Sequence, residues 1–370
     1  MKLKVWTVVG TRPEIIRMAP TIKLFDQIFD HTLIHTGQNQ GFSMSDVFFR
    51  DLDLRAPDYY FGSFGSNLGE LLGDMFHKFG KLLEENKPDA FVVLGDTNSA
   101  LLTILARRER IPTYHLEAGN RSFDSRVPEE INRRIIDHTA DFNVAYSSYS
   151  HENLLMEGLD PRTTFVSGSP MLEVIASISG KIEASEVLRN LDLTKNEYFV
   201  CSVHRQENVE NKDRLERLIS LIRGGAETYN KKLVISVHPR TNQRISEAGL
   251  AWPEGSIVSD PFGLVDYLRL QRDSFATISD SGTLAEESAI LGFLGLSPRE
   301  SSERPEAFNL GLFSLVGASF ESLTEAIETL SHGEAPSPPI AYQEQNFSRR
   351  VANIILSTAR NRNQIVGDEI

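Results

Sequence analysis

One cysteine, Cys201, occurs in 370 residues. A lone thiol can build neither an internal disulfide framework nor a cysteine-based zinc cluster. It sits in the apolar stretch "YFVCSV", which reads as a strand, so a buried structural thiol is expected rather than a nucleophile. Long hydrophobic runs are missing too. Nothing approaches the roughly 20 apolar residues of a membrane span. The short apolar run in "MKLKVWTVVGTRPE" has no small-residue cleavage site after it, so it reads as a first strand and not as a signal peptide. The expected location is cytoplasmic. Basic blocks are also absent. With 38 Lys and Arg against 51 Asp and Glu, the formal net charge is -13, which opposes a nucleic-acid surface. The cations fall instead in short motifs, "GTRPE", "EINRR" and "HPRTNQR", which suit single arginines on a small anion.

What is present is an alternation of strand and helix signals. "KVWTVV", "HTLIHT", "DAFVVL", "TYHLEA" and "FNVAYS" read as strands. Between them lie helical segments such as "RPEIIRMAPTIKLF", where Pro20 predicts a kink, and "SNLGELLGDMFHKFGKLLEEN", capped by Ser66 or Asn67. A more polar stretch, "SGKIEASEVLRNLDLTKNE", separates this half from a second, "YFVCSV", "KLVISV" and "FATIS" with their helices. Strands of near-continuous apolar character, each followed by a helix, imply parallel sheets covered on both faces. The chain therefore reads as α/β with two domains, residues 1–180 and 181–345, and a C-terminal helix and tail, 346–370, whose packing the sequence leaves open. Two such domains leave a central cleft, and ligands of open α/β sheets sit beyond the C-terminal strand ends.

The residues at those ends carry the chemistry. "GTRPE" joins a tight exit at Gly10 to a helix opened by Pro13, leaving backbone donors near Thr11 and Arg12. A phosphate would suit those donors and the Arg12 fork; a capped helix with a solvated arginine suits the pattern equally. No G-x-G-x-x-G follows, which disfavours a nicotinamide dinucleotide. Asp96 ends "FVVLGD" and Glu117 ends "YHLEAG", and neighbouring parallel strands would bring both to one sheet edge. Alone, Asp96 reads as a helix N-cap. A second acid after the next strand, beside His115, argues for acid–base chemistry instead. "RVPEEINRRIIDH" adds Glu129, expected to face Arg133 at i,i+4, either as a stabilising pair or oriented by it; Glu130 is expected to point elsewhere.

In the second half, "SVHRQEN" and "SVHPRT" place His204 with Arg205, and His238 with Arg240, just after strands. Their charge suits a pyrophosphate, and their spacing matches no zinc motif. "ISDSGTLAEES" delivers Asp280 from a strand and turns at Ser281, Gly282 and Thr283 into a helix carrying Glu286 and Glu287. Hydroxyls and amides at a helix start take phosphate oxygens, and a carboxylate a turn later can take two ribose hydroxyls. The G-x-S-x-G elbow of serine hydrolases is absent. Arg304 and Glu306 of "SSERPEAFNLG" either line the same mouth or pair with each other. Phosphate-binding elements in both halves, with several carboxylates in the first, fit a nucleoside-diphosphate sugar handled by acid–base chemistry.

The order and spacing of "GTRPE", "HTGQN", "GDTNS", "HLEAGNR", "PEEINR", "HRQEN", "SDSG" with its following "EE", and "ERPEA" identify a family. Over almost its whole length the chain resembles the bacterial non-hydrolysing UDP-N-acetylglucosamine 2-epimerases. The resemblance implies two Rossmann-like domains in the two-domain glycosyltransferase-B architecture, no metal or nicotinamide cofactor, and a homodimer. It implies catalytic roles for Asp96, Glu117, Glu129 and His204. UDP-sugar contacts are implied for Arg12, His238, Ser281, Gly282 and Glu287, with Arg133, Arg205, Arg240, Thr283 and Arg304 as further candidates. The implied reaction inverts C2 by eliminating UDP to an enzyme-bound 2-acetamidoglycal and adding it back. Several motifs depart from the commonest family pattern: "HTGQNQGF", Arg17 where Lys is frequent, the short "RSFDSRVPEE", "HPRT", and Thr283 where a Gly is usual. These departures resemble the subgroup that converts UDP-2-acetamido-2,6-dideoxy-L-talose to UDP-N-acetyl-L-fucosamine for capsule or O-antigen synthesis. Plain UDP-N-acetylglucosamine epimerisation is the alternative, ahead of a UDP-sugar-dependent glycosyltransferase or a non-catalytic UDP-sugar sensor.

Overall fold

The computed structural model describes residues 2–38, 48–124, 127–309, 313–332 and 337–366. The chain forms two compact units, Met1–Ser177 with Gln343–Ile370, and Ile178–Tyr342. Each is built on its own wholly parallel, Rossmann-like sheet.

The first unit contains β1 (Lys4–Val9), β2 (Asp30–His35), β3 (Tyr59–Tyr60), β4 (Ala90–Leu94), β5 (Thr113–Leu116), β6 (Phe142–Ala145) and β7 (Thr164–Val166). Their order across the sheet is β3-β2-β1-β4-β5-β6-β7, with every pairing parallel. The order reverses between β1 and β4, which makes the turns after those two strands the place where ligands of such sheets bind. Helix α1 (Arg12–Ile28) has Pro13 in its first turn and runs as one element through Pro20. The expected kink does not interrupt it. Ile15, Met18, Ala19, Ile22 and Phe25 are all buried along it, and that packed face outweighs the single hydrogen bond a proline forfeits. Helix α2 (Leu68–Glu85) is capped by Asn67, whose side chain accepts from the Glu70 amide at 3.0 Å, while Glu70 accepts from the Ser66 amide at 2.9 Å. Only the C-terminal half of its apolar stripe, Met75, Phe79, Leu82 and Leu83, is buried. Phe79 meets Trp6 edge-on and leans against Phe91, with ring centroids 6.2 and 5.0 Å apart.

Helix α3 (Pro128–Thr139) follows β5. The C-terminal helix, Phe347–Thr358, packs in this first unit. Ser348 bonds Thr21 at 3.0 Å and Glu173 at 2.8 Å, Thr358 bonds the Tyr114 hydroxyl at 2.8 Å, and Arg362 reaches buried Asp141 at 2.9 Å.

The second unit contains β8 (Tyr198–Ser202), β9 (Lys232–Ser236), β10 (Ile257–Ser259), β11 (Ala276–Ser279), β12 (Gly295–Ser297) and β13 (Phe313–Leu315), in the order β10-β9-β8-β11-β12-β13. All pairings are again parallel. Strand β8 shows how both faces are covered. Phe199 and Cys201 enter one core with Leu221 and Ile222 of the helix Lys212–Tyr229, while Tyr198 and Val200 enter another with Leu270 of the helix Leu264–Asp273. Cys201 is buried, and that burial pushes its thiol pKa far up, as an inert structural cysteine requires. The order here reverses between β8 and β11.

Candidate active site

The turn after β1 is closed from inside. Glu14 is 2% exposed, and its Oε2 accepts from the Gly10 amide (2.9 Å), the Thr11 amide (2.7 Å) and the Thr11 hydroxyl (2.8 Å). Its Oε1 accepts from Thr97 Oγ1 at 2.8 Å, so one carboxyl ties the β1 turn to the β4 turn across the switch point. Of the donors expected near Thr11 and Arg12, the Thr11 amide is thus taken within a capping box, the second of the two arrangements the motif suits. Burial pushes the Glu14 carboxyl up to about 7 despite its four donors. A side chain on Gly10 would collide with Ser99 and Thr36, which is why a glycine leaves the sheet here. The Arg12 guanidinium lies over the Phe48 ring, 5.6 Å from its centroid, and burial lowers its pKa.

Asp96 and Glu117 do come to one sheet edge, after the paired strands β4 and β5. Asp96 is not the N-cap of the following 3-10 turn; Thr97 takes that position. Asp96 Oδ2 pairs instead with Arg133 at 2.6 Å. Glu117 adopts φ 67°, a left-handed conformation uncommon outside glycine. Its Oε2 meets buried Arg17 at 2.8 Å and its Oε1 accepts from Asn120 at 3.2 Å. Arg17 also lies over the Tyr146 ring at 5.7 Å.

The Glu129–Arg133 pair is not formed. Arg133 bonds Glu130 at 3.1 Å; Glu130 is 4% exposed, whereas Glu129 is exposed. The i,i+3 partner wins because Glu130 also accepts from the Ser122 amide at 3.0 Å and hydroxyl at 3.1 Å, anchoring the connector to the helix. Burial alone would raise the Glu130 carboxyl, but Ser122 and Arg133 hold it below the usual glutamate range. Asn132, on the same helix, donates to the Asp96 carbonyl at 2.9 Å. His115 does not face a ligand. It is fully buried between the Gly95 carbonyl and Asp137, 2.8 Å from each. Asp137 also takes the Gly119 amide and pairs with Arg121 at 2.7 Å, so the two acid-bearing turns share one buried support.

In the second unit the centre is Asp280, fully buried at the end of β11. It accepts from the His204 amide (3.0 Å), the Arg205 amide (3.0 Å) and the Asn208 side chain (2.9 Å). His204 Nδ1 lies 3.1 Å from its Oδ1. Arg205 folds back, donating from Nε to the Asp280 carbonyl at 3.2 Å and lying 3.7 Å from Glu303. Ser281 and Thr283 hydroxyls bond each other at 2.9 Å where the helix Leu284–Leu291 begins. Gly282 faces Glu303 Oε1, 3.1 Å from where a Cβ would stand. Glu287 is 5% exposed and accepts from buried Gln271 at 2.9 Å. Arg304 is buried, 3.6 Å from Glu286, while Glu306 accepts from the Tyr342 hydroxyl at 3.0 Å. His238 is half-buried after β9. Beside it lies a pocket of about 450 Å³ lined by Val237, Pro239, Asn242, Gln243, Ser246, Val258, Ser259 and Asp260. The side chain of Arg240 lies outside the described residues.

Sequence reasoning missed three supports: Glu14, Asp137 and the role of Asp280. The first had a signal, because Thr11 and Glu14 form the T-x-x-E spacing of a capping box. The other two are set by which strands lie side by side. Among the described residues, no group of three or more His, Cys, Asp or Glu could hold a metal ion, and no helix is long and apolar enough to cross a membrane.

Each unit presents charged side chains at the C-terminal ends of its parallel strands, as α/β enzymes do: Asp96 and Glu117 with their arginines in the first, His204 and Arg205 in the second. Comparison with known proteins supplies the rest. The family described as UDP-N-acetylglucosamine 2-epimerase matches residues 24–356. The UDP-N-acetylglucosamine 2-epimerase of Methanocaldococcus jannaschii is 35% identical over 339 residues, 89% of this chain and 92% of that one. A crystal structure of the Methanocaldococcus jannaschii enzyme in complex with UDP-GlcNAc and UDP superposes with a TM-score of 0.89 at 32% identity, covering 96% of this chain and all of that one. The Rickettsia bellii enzyme superposes with a TM-score of 0.89 at 37% identity over the whole of both chains. The chain belongs to the UDP-N-acetylglucosamine 2-epimerase family and is an isomerase.

Proposed function

We propose that the enzyme inverts C2 of a UDP-2-acetamido sugar by eliminating UDP and adding it back. The observation that carries this reading is the pair of carboxylates, Asp96 and Glu117, on adjacent strand ends, each aimed by one arginine. In the first step a base takes the C2 proton, the C–H electron pair becomes the C1=C2 double bond, and UDP leaves with the C1–O pair. In the second, a proton reaches C2 on the other face as a UDP oxygen rebuilds the C1–O bond. Departure of a stabilised anion lowers the barrier to losing a proton that is otherwise weakly acidic. Glu129, exposed at the start of α3, is the third carboxylate able to meet a ligand; Glu130 belongs to the support. His204 is the fourth proton-handling group. UDP falls to Ser281, Gly282 and Thr283 at the helix start, to Glu287 for the ribose, and to Arg12, Arg205, His238 and Arg240 for charge. Arg133 acts through Asp96, and Arg304 acts through Glu286. A homodimer, which rests on the family resemblance, and a cytoplasmic location, expected from the sequence, belong to the same reading.

For the sugar, the motif departures around Arg17, Thr283 and "HPRT" support UDP-2-acetamido-2,6-dideoxy-L-talose as substrate and UDP-N-acetyl-L-fucosamine as product, in a capsule or O-antigen pathway. The names of the relatives favour a second reading, UDP-N-acetylglucosamine to UDP-N-acetylmannosamine. An NMR assay on purified protein with UDP-HexNAc and 6-deoxy UDP-HexNAc substrates separates them: turnover of the D-gluco compound alone removes the first. The same assay run in D2O tests the chemistry. Deuterium should enter at C2 of the product, and label at C3 or C4 with none at C2 would overturn the elimination route.

A further inference from the structure

We propose that His115 is the positioning residue that fixes how far apart Asp96 and Glu117 stand, its ring linking their two turns through a proton on each nitrogen. The inference deepens the reading above and rests on it for the chemistry of the two acids.

His115 is fully buried on β5, two residues before Glu117. Its Nε2 hydrogen-bonds the Gly95 carbonyl and its Nδ1 hydrogen-bonds Asp137 Oδ1, each at 2.8 Å. A carbonyl oxygen only accepts. The Asp137 carboxyl is fully buried, receives the Gly119 amide at 3.2 Å and pairs with Arg121 at 2.7 Å, so it too is an acceptor. A ring with a single proton would set a bare nitrogen against an oxygen lone pair at 2.8 Å, whichever nitrogen held the proton. Both nitrogens therefore donate. The ring becomes a link of fixed length. At one end is the carbonyl of the residue before Asp96. At the other is the carboxylate that holds the Gly119 amide, two residues after Glu117.

The backbone gives an independent reason for such a link. Gly95, Glu117 and Gly119 all have positive φ, 69°, 67° and 77°. Glycine takes that conformation freely, but in a glutamate it is strained and persists only where the surroundings over-determine it. Strand β5 grips Gly95 twice: the Gly95 amide donates to the Leu116 carbonyl at 2.9 Å, and the Gly95 carbonyl accepts from the His115 ring. Asp137 lies on α3, the helix that also sends Arg133 to the Asp96 carboxylate at 2.6 Å and Asn132 to the Asp96 carbonyl at 2.9 Å. One helix thus holds Asp96 directly and the Glu117 turn through Asp137, and His115 closes the loop between them. A pair of reacting groups has to be held to within about 0.5 Å, and a rigid aromatic ring between two strand ends supplies that.

The test uses the full-length native protein labelled with ¹⁵N-histidine, under assay conditions. Buried, hydrogen-bonded ring N–H protons exchange slowly enough to be seen. His115 should show two, one with nuclear Overhauser contacts to Gly95 and the other to Gly119, and those contacts assign the ring without a variant. Absence of either N–H overturns the proposal, whether or not any variant folds. His115→Gln keeps a side-chain donor but cannot span both acceptors. Measured well below its melting temperature, its kcat should fall roughly 100-fold, the scale of a displacement of about 1 Å at a reacting group, with KM changed less than about threefold. Asp137→Asn has the same shape as the native residue and should lose about as much. The double variant should lose no more than either single one, because all three break one link. A native kcat in folded His115→Gln, or losses that multiply in the double variant, overturn the proposal. If instead Asp96→Asn epimerises at the native rate, it is the chemical role of Asp96 that fails, a result distinct from the ring protons that judge His115.

Discussion

The two units solve the same problem with different parts. Each opens with a strand whose following turn, in a dinucleotide-binding sheet, would cradle a phosphate with bare amides. Here each turn is filled by a carboxylate of its own unit. In the first, Glu14 comes from the helix that the turn begins and takes the Gly10 and Thr11 amides. In the second, Asp280 comes from the neighbouring strand and takes the His204 and Arg205 amides. The first acid is a local cap that happens to reach Thr97; the second is a long-range support that also takes the Asn208 side chain. A cap can be supplied by any suitable helix start, whereas the Asp280 arrangement needs the β8–β11 register. Chemistry that depends on aim is therefore built on the second kind of contact, and the first unit does likewise with Asp96–Arg133 and Glu117–Arg17.

That distinction is broken most severely at the aimed acids. Asp96→Asn and Glu117→Gln should each cut kcat by roughly 10^2–10^4, the usual worth of a positioned acid or base. The fold should survive Asp96→Asn because Arg133 keeps Glu130. A native rate in Asp96→Asn would remove it from the chemistry. Arg133→Met is the reverse case. It leaves buried Glu130 and Asp96 without their shared cation, and unpairing a buried charge costs about 3–5 kcal/mol. Denaturant unfolding should report a loss of that order; a loss under about 1 kcal/mol would mean that Ser122 and Arg134, the latter 3.5 Å from Glu130 Oε1, hold Glu130 between them. Glu287→Ala is milder. It deletes the proposed ribose acceptor, and charged hydrogen bonds are worth about 1.5–3 kcal/mol, so calorimetry should show UDP binding weakened roughly 10- to 100-fold. Unaltered affinity would make Glu287 a support within its own unit, where it holds Gln271.

The same local-against-distant contrast explains what could be read without coordinates. The long strands of both sheets were legible because β4 is apolar throughout and β8 nearly so, and Asp96 and Glu117 were legible because acids that end adjacent strands must emerge together. Strands β3, β10, β12 and β13 span two or three residues each, too few to show a period. The choice between Glu129 and Glu130 was beyond helical spacing, since both i,i+3 and i,i+4 reach Arg133. Ser122, eight residues away in the connector, decides it. Asp137 and Asp280 were invisible for the same reason: their partners are set by sheet neighbours, not by sequence neighbours. Pro20 and the C-terminal helix were decided by packing.

Glu14 gives the smallest and most specific effect. Burial raises its carboxyl from an ordinary 4.5 to about 7. As pH rises through that window the unfolded chain has lost the proton while the folded chain still holds it, so this group's contribution to stability declines with rising pH. Above about 7 the penalty is complete, on the order of 3 kcal/mol. His35, buried in the same unit with Nδ1 accepting from the Gly37 amide at 3.0 Å, has the opposite sign. Burial lowers its ring from 6.5 to about 4, so as pH falls below 6.5 the unfolded chain takes up a proton that the folded chain refuses, and stability drops. Between 4.5 and 6.5 the two slopes oppose and largely cancel. Glu14→Gln keeps an acceptor for the Gly10 and Thr11 amides and an NH2 for Thr97, but it cannot ionise. Its stability should therefore climb with pH between about 4.5 and 6.5 where the native protein stays flat. Above pH 7 it should exceed the native protein by roughly 1–3 kcal/mol, at about 2–4 °C of melting temperature per kcal/mol. A stability difference that stays constant across this range, or a Gln variant weaker at pH 8, would show that Glu14 is ionised throughout and that the cap is held as an ordinary surface charge would be.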